Sequence, residues 1–150
     1  MKIRHIMSRK TITLKKSDTA KKAIKILSRN RISGCPVVDS KNNILGIVTQ
    51  SDIVKLIDVF SGIKSGDFFS LVESVIKGNE NAGFAKIQDK KISEFMQGGV
   101  VTIEKEENIS AAAKLMNRHK IDRLPVVEGN RLVGIVTKSD IVDALGTMKK

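Results

Sequence analysis

The sequence has no tryptophan, no tyrosine and only five phenylalanines. Its interior must therefore be built from Ile, Val, Leu, Met and Ala. An aromatic platform for single-stranded nucleic acid, which needs exposed rings to stack bases, is disfavoured. The single cysteine, Cys35, excludes an intrachain disulfide and fits a reducing compartment. No apolar run approaches membrane-spanning length, and the N-terminal MKIRHIMSRK has no apolar signal core. A cytoplasmic chain with no membrane segment is expected. Walker-type loops, GxGxxG, a Ser–His–Asp order and convergent His/carboxylate clusters are also missing. No catalytic residue and no metal site is therefore expected, with His5 and His119 as ordinary residues and Cys35 as a small core residue.

What is present suits a folded domain: 41% apolar and 29% charged residues in 150. The net charge of +11 has two readings. One is a solvated, lysine-rich surface. The other is binding of a polyanion, either a nucleotide or nucleic acid.

The dominant feature is a duplication. GIVTQSDIV (residues 46–54) recurs as GIVTKSDIV (residues 134–142), differing only at Gln50 against Lys138. Aligning Met7 with Met96 keeps a constant offset through Val38 and Val127. The second copy is one residue shorter in its turn, GNR against SKNN, and the match then continues to Ile57 and Leu145. Such self-similarity decides the architecture before any local detail.

Each copy begins with a short helix or turn, KIRHIM or KKISEFM, followed by a β-rich run at residues 11–14 or 100–103. A helix comes next, with Asp18 or Asn108 as its cap. Its apolar stripe is Ala20, Ala23, Ile24 and Leu27 in the first copy, and Ile109, Ala112, Ala113 and Met116 in the second. A strand starting at Pro36 or Pro125, a polar hairpin turn, a second strand and a second helix complete the copy. The predicted repeat is strand, helix, strand, strand, helix (βαββα), an α/β (α+β) fold. A copy of this size buries too little apolar surface alone, so the two small sheets are expected to pack on one another. The expected domains are residues 1–60 and 91–150, joined by a linker at 61–90. That linker has flexible ends at 61–66 and 78–83. Between them lies an amphipathic helix, a strut or a lid, with Phe68, Leu71, Val72, Val75 and Ile76 on one side.

The candidate chemistry lies in Thr-x-Ser-Asp: Thr49, Ser51 and Asp52, matched by Thr137, Ser139 and Asp140. One role is structural, with Ser51 and Ser139 capping the helix and each Asp complementing its dipole. The other is ligation. Hydroxyls and helix-start N–H groups can hold phosphate, whereas a carboxylate repels it and suits the paired hydroxyls of a ribose. Arg123 adds a possible phosphate contact where the first copy has Gly34, and Asp122 stands where it has Ser33. Two such pockets would be unequal, and the one with Arg123 would take more phosphate charge. Lys138 would add to that field.

The order h-x-T-h, amphipathic helix, PVVD or PVVE, hairpin, GIVTxSDI, present twice, resembles a tandem pair of cystathionine-β-synthase (CBS) domains, a Bateman module. The resemblance implies two βαββα units packed sheet to sheet about a pseudo-two-fold axis. It also implies a homodimer and regulation through AMP, ADP, ATP or S-adenosylmethionine, with no catalytic cofactor. By motif position, Asp52 and Asp140 would take ribose hydroxyls. Thr49, Ser51, Thr137 and Ser139 would flank ribose and phosphate, and Arg123 would reach phosphate. Ile12, Thr13, Ile32 and Pro36, or Val101, Thr102, Ile121 and Pro125, would hold the base, whose edge main-chain groups near Ser33 and Asp122 would read. Gly34 departs from the basic residue often found there. The implied role is a stand-alone regulatory module signalling to a separate effector protein. The alternatives are a nucleic-acid-binding protein using Lys21, Lys22, Lys25 and Arg29, or a purely structural interaction module.

Overall fold

The computed structural model describes residues 1–61 and 82–149. It begins with a one-turn helix α1 (Ile3–Ile6), then α2 (Ala20–Asn30), β1 (Gly34–Val38), β2 (Ile44–Thr49) and α3 (Gln50–Ser61). There follow α4 (Ala82–Ile87), α5 (Ile92–Phe95), β3 (Ile103–Glu104), α6 (Ile109–His119), β4 (Arg123–Glu128), β5 (Arg131–Thr137) and α7 (Lys138–Thr147). No described helix is long and apolar enough to cross a membrane. The helix expected around residues 68–76 lies outside the described residues. So does most of the expected linker at 78–83, although α4 starts within it at Ala82, packs along α3 and buries Ile87.

The apolar stripes of α2 and α6 form as their spacing predicts: Ala20, Ala23 and Leu27 are buried in one, Ala112 and Met116 in the other. Their caps occupy aligned positions. Thr19 accepts from the Lys22 N–H at 3.3 Å, and Asn108 from the Ala111 N–H at 3.0 Å. Asp18, expected as the first cap, stands one residue too early. It accepts from the Lys15 N–H at 2.7 Å and pairs with Lys22 at 3.1 Å.

The strands are also sharper than sequence suggests. In the second repeat β4 pairs antiparallel with β5, and β3 joins β4 in parallel through Ile103 and Glu104. The corresponding run in the first repeat is reduced to a single bridge between Leu14 and Val37, beside the β1–β2 hairpin. Residues 11–13 and 100–102 are therefore not strand. Both central strands start two residues ahead of their proline, at Gly34 and Arg123. β3 joins only beyond Pro125, at Val126, which accommodates its missing N–H. The hairpin turns form as expected. Gly129 takes φ 67° in one, and the Asp39 carboxylate accepts from the Lys41 and Asn43 N–H groups at 2.9 and 2.8 Å in the other.

Two compact units result, and neither is a contiguous half of the chain. One contains Met1–Thr13, Val38–Leu45 and Gly99–Lys150; the other contains Leu14–Val37 and Gly46–Gly98. In the first, Ile3 of α1 is fully buried with Ile103, Met116, Leu124, Val126 and Val136. In the second, Ile92 of α5 is buried with Leu14, Leu27, Val37, Val48 and Ile53. Cys35 is fully buried in this same cluster, as expected. The leading helices are thus exchanged: each packs in the core of the other repeat.

This exchange explains the glycine that starts both GIVT stretches. Ser8 and Ile135 exchange backbone bonds of 2.8 and 2.9 Å, and Gln97 and Ile47 exchange two of 2.9 Å. A Cβ on Gly134 would stand 2.9 Å from the Ser8 carbonyl oxygen, and one on Gly46 2.6 Å from that of Gln97. The glycine is there because a second backbone crosses over it.

Candidate functional site

The end of β5 runs straight into α7, and the junction is held by a reciprocal capping box. Thr137 Oγ1 accepts from the Asp140 N–H at 3.2 Å, and Asp140 Oδ2 accepts from the Thr137 N–H at 2.8 Å. The caps are therefore the threonines, not Ser51 or Ser139. Both serines are exposed on the first turn, where their hydroxyls are available to a ligand. The other oxygen of Asp140, Oδ1, takes no hydrogen bond among the described residues.

Antiparallel pairing sets Arg123 directly opposite Thr137. The Asp122 carbonyl accepts from the Lys138 N–H at 2.9 Å, tying the start of β4 to the helix start. Arg123 is mostly buried, its side chain 20% exposed, and its Nε lies 3.5 Å from Asp122 Oδ1. The geometry is too poor for a hydrogen bond, so a buried guanidinium N–H has no acceptor among the described residues. Such a group is costly unless an oxygen is supplied to it. Asp122, Arg123, Thr137, Lys138, Ser139 and Asp140 thus converge at one junction. Pro125 is buried beneath it, opposite Ile135. Val101 and Ile121 are half-buried against the core cluster. Thr102 lines a different groove, of about 410 Å³, with Ala111, Leu115 and Arg118. Asp140 lines an open groove of about 440 Å³ with His5, Ile6, Asp143 and Ala144.

The matching junction of the first repeat is built alike but filled differently. Thr49 caps α3, and Asp52 Oδ2 accepts from both its N–H at 2.7 Å and its hydroxyl at 2.9 Å. The Ser33 carbonyl accepts from the Gln50 N–H at 2.9 Å. Asp52 is only 7% exposed, and its Oδ1 accepts a hydrogen bond from the Gln97 amide. Gln97 has no place among the residues that sequence reasoning selects. The signal for it was the alignment of Gln97 with Ser8, a long donor against a short one. Gly34 leaves this junction without a guanidinium. Ile32 is half-buried and Pro36 fully buried. Ile12 and Thr13 belong to the other unit, where Ile12 is exposed and Thr13 half-buried.

A family model for the CBS domain matches residues 3–59 and 92–147. The chain belongs to the CBS-domain family. Its fold is the mixed α/β fold of a CBS pair. An uncharacterized protein of Methanocaldococcus jannaschii, MJ1426, is 34% identical over 160 residues, covering 97% of this chain and 91% of that one. Among solved structures, CBSX2 in complex with AMP superposes with TM-score 0.74 at 22% identity, over 99% of this chain and 98% of that one. The CBS pair of protein MJ0100, in complex with 5′-methylthioadenosine and S-adenosyl-L-methionine, gives TM-score 0.69 at 27% identity. It covers 99% of this chain and 98% of that one. In this CBS pair the two Thr-x-Ser-Asp junctions share a backbone and differ in what their side chains leave open.

Proposed function

We propose that this protein is a cytoplasmic, non-catalytic regulatory CBS pair that binds an adenine nucleotide and reports metabolic state to a separate effector protein. The domains of this reading are residues 1–60 and 91–150, with 61–90 linking them. One observation carries it: the buried Nε of Arg123 has no hydrogen-bond acceptor among the described residues, and Arg123 is paired in register with Thr137, the cap of the helix that carries Asp140. A phosphate suits the first group and the helix-start N–H groups. The paired hydroxyls of a ribose suit the carboxylate. An adenosine phosphate contains both parts, and the adenosyl compounds in the MJ0100 pair support that ligand class. Signalling requires that ligand bind one arrangement of the protein more tightly than another.

Calorimetric titration with AMP tests the reading. Asp140→Ala is expected to weaken binding about tenfold or more, the worth of hydrogen bonds to a charged group, with far-UV circular dichroism unchanged. Equal affinity in wild type and variant would reject the site.

A second reading, nucleic-acid binding, draws on α2. This helix carries no acidic residue and exposes Lys21, Lys22, Lys25 and Arg29, of which Lys22 pairs with Asp18 at 3.1 Å. A mobility shift that collapses steeply with salt would support it, and no shift at low salt would remove it.

A further inference from the structure

We infer that the chain holds one open ribose site, at Asp140, and one that it has closed on itself, at Asp52, with Gln97 as the residue that closes it. The inference rests on the nucleotide-binding reading above. The Asp52 carboxylate is buried and already accepts three donors: the N–H and hydroxyl of Thr49 and the amide of Gln97. Oδ1, the oxygen left over by the capping box, is the one Gln97 occupies. With Asp52 only 7% exposed, the paired hydroxyls of a ribose would have to compete with that amide for Oδ1.

Gln97 is held in place to do this. Its backbone is bonded on both sides to Ile47 at 2.9 Å, and its carbonyl lies against Gly46, where no side chain fits. With its main chain fixed, the side chain loses little further freedom in reaching Asp52. In the other repeat Ser8 is pinned to Ile135 by the same pair of bonds. Its short hydroxyl turns instead toward the Lys10 carbonyl, and Oδ1 of Asp140 takes no hydrogen bond among the described residues.

The walls differ in the same sense. The groove at Asp52 is lined by Lys55, Leu56 and Phe95 and measures about 180 Å³. The equivalent groove at Asp140 has Asp143, Ala144 and Ile6 in those places and measures about 440 Å³. Small-molecule sites usually span roughly 300–1,000 Å³; both grooves are open, and of the two only that at Asp140 reaches this range. Losing a hydrogen bond to a buried carboxylate weakens ribose binding at Asp52 by roughly ten- to a hundredfold.

Gln97→Ser/Leu56→Ala gives the first repeat the two residues of the second. Calorimetry with AMP should show one site per chain in wild type, lost in Asp140→Ala. Because Gly34 supplies no guanidinium, adenosine is the better probe of the first repeat. The double variant should bind a second equivalent of adenosine, lost again when Asp52→Asn is added. Two sites of similar affinity in wild type, or a single site in the double variant, would overturn the inference. A urea-unfolding cycle over Gln97→Ser and Asp52→Asn needs no ligand. Non-additive losses are expected, and additive ones would show that Gln97 does not hold Asp52. If neither AMP nor adenosine bound any form, the nucleotide-binding reading would fall while this cycle still decided the contact.

Discussion

At the scale of single residues, Thr137 and Asp140 close the capping box at the start of α7, and the proposed site gives the same two residues a second role. Mutational effects should therefore separate by probe. Thr137→Ala removes a helix cap and is expected to cost about 1 kcal/mol in urea unfolding. Arg123→Ala should weaken AMP roughly tenfold while leaving adenosine unchanged, because only the phosphate needs the guanidinium; parallel titrations check this. Gly34→Arg is the converse. A Cβ at Gly34 would meet Ile47 and Thr49 at ordinary distances of 3.5 Å, but the position is buried, so Gly34→Arg should lower stability by roughly 1–3 kcal/mol in urea unfolding and regain part of it when AMP is added.

At the scale of elements, the exchanged helices α1 and α5 are the most exposed to substitution at a distance. Gly46→Ala and Gly134→Ala change no residue of either helix. Each would push a methyl into the backbone of the crossing segment, which overpacking arguments put at roughly 1–3 kcal/mol in denaturant unfolding. A fixed carbonyl faces both positions, so neither can relax by moving a side chain alone. The tether of α1 should also be pH-dependent. The Glu106 carboxyl is held below its ordinary range, first by a hydrogen bond from Lys2 and then by the charge of Arg4. Its folded value is depressed, so its contribution is complete above the unfolded value and is lost as pH falls through the folded one. Glu106→Gln should therefore lower stability slightly at neutral pH and not at all in acid, with salt reducing the difference.

At the scale of the whole molecule, the second helices carry exposed apolar residues at matching positions. Val54 and Val142 are 65% and 66% exposed, and Leu145 is 52% exposed. A homodimer that covers these faces is the proposal they support. Val54→Asp with Val142→Asp is expected to convert a sedimenting dimer to a monomer; an unchanged sedimentation coefficient would exclude these faces. Saturating AMP should raise the melting temperature, because a ligand at a hundred times its dissociation constant stabilises the native state by about 2.7 kcal/mol.

The duplicated order of short motifs was enough, without coordinates, to identify the family, the helix stripes, the hairpins and the Thr-x-Ser-Asp junctions. Those features depend on local periodicity and on capping chemistry, which operate over a few residues. Sequence also showed that Arg123 aligns with Gly34, an inequality between the repeats that needs no coordinates. It misplaced the caps, assigning Asp18 and the serines where Thr19, Thr49 and Thr137 act, because neighbouring polar residues differ only in where their side chains point. The exchange of α1 and α5 between cores, the reason for Gly46 and Gly134, and the hold of Gln97 on Asp52 were decided by tertiary structure alone. Each joins segments far apart in the chain, and no periodicity records which backbone will cross a glycine or which amide will reach a carboxylate.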